Sequence, residues 1–85
     1  MKRSPRTHVA EFDPVAKRII VSRCAGKCEV DDCPHRGTQF HHRLRRSQGG
    51  LGTPENGLFV CDYHHGYIHA HPTESYLRGW LVRSS

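Results

Sequence analysis

The sequence predicts a small α+β fold held together by a metal ion rather than by a large core. Three observations point there. The chain has 85 residues, 35% of them hydrophobic and 8% aromatic, so burial alone is too small to offset the entropy of ordering without a staple. Four cysteines are set among eight histidines, and the opening "MKRSPRTHVAEF" has no apolar stretch like a signal sequence. A reducing, cytoplasmic setting is therefore expected, in which such cysteines hold zinc rather than pair with one another. Short segments of helical and of strand character follow one another along the chain, with no internal repeat.

Residues 1–12 contain Lys2, Arg3, Pro5 and Arg6 without hydrophobic periodicity and read as a basic flexible arm; one domain is expected over 13–85. In "DPVAKRIIVSRC", Asp13 suits a helix cap and Pro14 the first helical position, while Val15, Ile19 and Ile20 fall at helical spacing. Gly26 is the expected terminator. "TQFHHRL" reads as a short strand, "SQGGLGTPENG" as a turn-rich loop and "LFVC" as a second strand. "DYHHGYIHA" follows as a helix that must end before Pro72, because the residue preceding proline avoids the α region. The remainder, "PTESYLRGWLVRSS", adds a short C-terminal helix stopped at Gly79, with Tyr76, Leu77 and Trp80 expected to cover the core.

Thirteen Lys+Arg against eight Asp+Glu give a formal charge of +5, which favours a polyanionic partner, nucleic acid before an anionic membrane. No strongly amphipathic basic helix is visible. No run approaches the roughly 18 apolar residues a bilayer span requires, so no membrane association is expected.

Cys28 and Cys33 enclose "EVDD", and Cys61 and His64 enclose "DY" 28 positions later. Two short ligand pairs separated by a loop let the chain grip a tetrahedral zinc from both sides and close a Cys3His shell with no open position, the mark of a structural site. Cys24 competes for a ligand role, being four residues from Cys28, but Gly26 should break the helix between them; His35 is expected to face solvent. His65 and His69 are also four apart, which on a helix puts both imidazoles on one face, while His64 lies about 100° round from His65. One helix can thus serve two metal sites.

Residues 24–71 resemble the HNH endonucleases, ββα-metal nucleases with a treble-clef-like zinc-knuckle scaffold, through "CEVDDC", "HHR", "GG", "PEN", "LFVC", "DYHH" and the histidine at 69. The tail "YLRGWLVR" is similar to small phage and actinobacterial members. The resemblance implies a nuclease that nicks DNA, in which His42 is the general base and His41, His65 and His69 hold a catalytic divalent metal. Asn56 fixes the loop and the base, or in some members binds the metal. Three departures stand out: the four-residue gap between Cys28 and Cys33, His64 where many relatives have cysteine, and His41 where many have aspartate.

A neutral histidine can take a proton from water at pH 7. A divalent ion on three imidazoles should be manganese, nickel, cobalt or zinc rather than magnesium, which prefers oxygen ligands. Arg43, Arg45 and Arg46 lie beside the expected base and suit bidentate contacts to phosphate, so DNA binding should be weakly sequence-selective and salt-sensitive. Other phage or host DNA-processing proteins are expected partners on the strength of the resemblance. The competing reading is a zinc-knuckle nucleic-acid-binding module whose further histidines do no chemistry.

Overall fold

The computed structural model describes residues 10–83. Helix α1, Pro14–Cys24, begins as its residues dictate: Asp13 is extended and its Oδ1 accepts the Ala16 N–H at 2.8 Å, with Pro14 in the first turn. The helix closes at Ala25, already left-handed at φ 54°, one residue before the glycine expected to end it. Its buried residues are Ala16 and Ile20, with Phe12 ahead of them and half-buried Cys24 behind. These positions form one row at steps of four. Val15 and Ile19, which share helical spacing with Ile20 in the sequence, lie one residue round the helix from that row and are 57% and 49% exposed. Phe12, assigned to the arm, is buried in the core instead. The rest of the arm, residues 1–9, lies outside the described residues.

After α1 an isolated bridge between Lys27 and Arg36 folds the first cysteine pair into a knuckle. Strand β1 is Gln39–His42 and strand β2 is Gly57–Val60; they pair antiparallel, with His41 opposite Leu58 and His42 opposite Gly57. The intervening loop contains two single turns of 3-10 helix, Arg46–Gln48 and Pro54–Asn56. Strand alternation sends Phe59 towards α1, where it joins Phe12, Ala16 and Ile20, and Val60 to the opposite face, where it joins Cys28, Cys61 and Ile68. Gly57 has to be glycine at this packing distance, since a Cβ there would come 2.5 Å from the Ile20 Cδ1.

The outer edge of β2 is closed by one ion pair. Arg23 meets the Glu29 carboxylate at 2.7 Å and donates to the Gly57 carbonyl at 2.9 Å, while Glu29 accepts the Phe59 N–H at 2.8 Å. No strand pairs with the outer edge of β1 among the described residues.

Helix α2, Asp62–Ala70, is capped by Cys61 and ends at His71, directly before Pro72; helix α3, Pro72–Arg78, follows. Gly79, at φ 81°, turns the chain back. The N–H groups of Trp80 and Leu81 both donate to the Ser75 carbonyl, and the fully buried Ser75 hydroxyl has its one proton within reach of the carbonyls of Ile68 and His71. This turn places Trp80 and Leu81 over α2, with Leu81 only 1% exposed, while Leu77, expected to cover the core, projects outward at 83%. No helix among the described residues is long and apolar enough to cross a membrane. Among the described residues the result is a small α+β fold of three α-helices on a two-stranded antiparallel sheet, with α1 and α2 on opposite faces.

Candidate metal centres

Cys28 and Cys33 from the knuckle meet Cys61 and His64 from the start of α2, with ligand atoms all within 4.8 Å of one another. The Cys33 and Cys61 sulfurs are 3.9 Å apart, and His64 Nδ1 is 3.3 Å from the Cys61 Sγ and 3.8 Å from the Cys28 Sγ. A tetrahedron of zinc bonds near 2.3 Å has edges of about 3.8 Å. The donors therefore fit such an ion in both identity and separation. Cys28 and Cys61 are buried, and burial pushes the Cys28 thiol up to about 11. Burial also pushes on Cys61, but the backbone N–H of His64, the neighbouring thiols and the Tyr63 N–H together pull it below its ordinary value. Once the three thiols give up their protons, three thiolates and one imidazole nitrogen can hold a metal ion such as zinc. Cys24 is not among them: its Sγ faces the Ile20 and Val21 carbonyls of its own helix. His35 is exposed.

His41 from β1 and His65 and His69 from α2 form a second group whose ligand atoms lie within 4.8 Å of one another. Ring centroids are 6.2 Å apart for His41 and His65, 5.5 Å for His41 and His69, and 5.2 Å for His65 and His69. His41 is buried, and its Nε2 lies 2.8 Å from the Trp80 carbonyl oxygen. A carbonyl can only accept, so Nε2 carries the proton and Nδ1 keeps the lone pair, the arrangement in which an outer carbonyl orients a metal-binding imidazole. Burial, followed by the neighbouring histidines, pushes His41 down to about 4 despite the Trp80 hydrogen bond, leaving it neutral at pH 7. His69 is lowered too, by burial first and then by His65 and Arg45. Neutral imidazoles are the form a metal requires.

The three rings open onto a cleft of about 310 Å³ that is also lined by His42, Arg45 and Arg46. Regular alternation would send His41 and His42 to opposite sides of the sheet. Both nevertheless line one cleft at the end of β1, with His41 beside His65 and His69 of α2 and His42 against Phe12. His42 donates from Nε2 to the Ala10 carbonyl, which again leaves Nδ1 with the lone pair.

Asn56 pins the loop between the strands. Its Oδ1 accepts the Leu44 N–H at 2.7 Å and its Nδ2 donates to the carbonyls of Leu44 and Leu51 at 3.1 and 2.9 Å. That engagement fits a loop-fixing role rather than metal ligation. Arg43, expected to meet phosphate, is turned away from the cleft. Its guanidinium donates to the Gly79 carbonyl at 2.7 Å and the Glu55 carbonyl at 3.2 Å, fastening the strand end to the tail. Arg45 and Arg46 remain at the rim. The carbonyls of Trp80 and Ala10 hold the two strand histidines. Backbone acceptors leave no residue-type signal.

Compared with known proteins, the chain matches no family model and no curated protein. The chemistry of the cleft rests on its own side chains.

Proposed function

We propose that this chain is a metal-dependent endonuclease of the ββα-metal (HNH) type that nicks DNA, with zinc in the Cys3His cluster closing the scaffold. The observation that carries the reading is the convergence of His41, His65 and His69 on one open cleft beside a fourth histidine, His42, and two arginines. A closed structural shell needs none of these additions. Phosphodiester hydrolysis calls for a Lewis acid, a base and counter-charge for phosphate, roles that these groups are suited to fill.

His41, His65 and His69 would hold the second ion. When bound, that ion supplies a Lewis acid for the scissile phosphate and counter-charge for the leaving oxygen. His42 takes the proton of the attacking water on Nδ1, while its Nε2–H stays on the Ala10 carbonyl. Arg45 and Arg46 hold the flanking phosphates without reading bases, so binding is weakly selective and salt-dependent. Other phage or host DNA-processing proteins are the partners proposed to bring the nuclease to its site.

The test is nicking of supercoiled plasmid by metal-stripped protein across a metal series. Manganese or nickel should support faster nicking than magnesium, because the donors are imidazoles. Equal or faster turnover with magnesium would contradict three-histidine ligation. Salt-sensitive binding without nicking in any metal would favour a binding module.

A further inference from the structure

We propose that the segment Ala10–Phe12, ahead of the first helix, is a strap that sets the orientation of the His42 ring; the proposal rests on the nuclease reading above. An imidazole at the end of a strand turns freely about two side-chain bonds, and a half-turn of the ring exchanges its nitrogens. Two contacts remove that freedom here. The Ala10 carbonyl accepts from Nε2, and the Phe12 ring packs on the imidazole with centroids 4.4 Å apart and planes 34° from parallel. One contact selects the nitrogen and the other selects the plane.

The strap is itself held at three places. Phe12 is 8% exposed and sits in the core with Ala16, Ile20 and Phe59. The Glu11 carboxylate is 3.5 Å from the guanidinium of Arg46, which lines the cleft. On the far side the loop presses against the strap backbone: a Cβ on Gly52 would lie 2.1 Å from the Glu11 carbonyl oxygen and 2.7 Å from the Phe12 nitrogen. Core packing accounts for Phe12 alone. It does not require the Ala10 carbonyl at His42 or the Glu11 carboxylate at Arg46. The strap thus holds the proposed base, and it reaches a proposed phosphate-binding arginine only through an exposed ion pair that adds little hold.

The experiment uses the full chain, zinc-loaded and 15N-labelled at histidine, and reads ring N–H protons by NMR. The wild type should show exchange-protected ring N–H protons that include the buried His41 Nε2–H on the Trp80 carbonyl and a second Nε2–H that disappears in His42→Ala, which assigns this second proton to His42. Phe12→Leu keeps an apolar side chain but removes the ring, and Gly52→Ala displaces the strap by collision with backbone. Both should lose the protected His42 proton and lower kcat for nicking by roughly 10- to 100-fold, the scale of a mispositioned group, with KM within about twofold and zinc content unchanged. The absence of a protected His42 N–H in the wild type overturns the strap, and that arm needs neither strap variant to fold. Nicking that survives loss of the proton overturns it as well, while leaving the nuclease reading intact. A wild type that shows the proton but never nicks refutes the nuclease reading and with it the strap's catalytic role.

Discussion

Cys61→Ser should abolish cooperative folding. Serine can still cap α2, as Cys61 does through its sulfur on the His64 N–H, so the substitution removes a metal donor and little else. The core offers no reserve. Its buried apolar side chains fall into two small clusters on either side of a two-stranded sheet, and one of those clusters contains Cys28 and Cys61 themselves. Zinc binding in small domains contributes on the order of 10 kcal/mol at neutral pH, as much as the whole stability of a typical domain. The variant, and the wild type stripped with a strong chelator, should show no sigmoidal melt by circular dichroism and no bound zinc. Cys24→Ser is the control: its sulfur faces carbonyls of its own helix and stands outside the Cys28, Cys33, Cys61 and His64 cluster, so the melt and the zinc should both survive. A sharp melt in metal-free wild-type protein would show that the apolar clusters suffice.

His42→Ala should reduce nicking by about 10²- to 10⁴-fold, the usual contribution of a general base. Zinc content and DNA affinity should stay near wild type. The ring is half-buried at the cleft, and among the described residues its hydrogen bond is to Ala10 rather than to either group of clustered donors. His41→Ala should behave differently. It removes a member of the histidine cluster and leaves the Trp80 carbonyl without its buried partner, so metal at that cluster and stability should fall together. Nicking rates on supercoiled plasmid, read beside elemental analysis, separate the two cases. Retained nicking in His42→Ala would remove this residue from the chemistry.

What the sequence made legible follows from how locally each feature is encoded. The Cys28–Cys33 and Cys61–His64 pairs are set by short spacings, and His65 with His69 by one helical step, so these groupings were readable before any packing was known. The ends of α2 and α3 were equally local, being written in Pro72 and Gly79. Choice of buried face was not. Val15 and Ile19 have the composition of a core face, yet the row through Phe12, Ala16 and Ile20 meets Phe59, and small Ala16 allows the closer approach. That row was visible at steps of four but was obscured by placing Phe12 in the arm. Leu77 was expected in the core by its type and displaced by Leu81 through the Gly79 turn, which depends on Ser75 bonding back to α2. Arg43 was grouped with Arg45 and Arg46 by adjacency, although strand direction turns it to the tail carbonyl of Gly79.

In the proposed nuclease two ions have separate work, one locking the scaffold and the other held in an open cleft by three imidazoles. Metal content per chain, measured by elemental analysis after loading with zinc and then nickel and removing the excess, tests this most directly. Two ions are expected in the wild type and one in the paired substitution His65→Ala with His69→Ala, which should keep its zinc and its fold. A single ion in the wild type, or loss of both from the paired variant, would contradict the account.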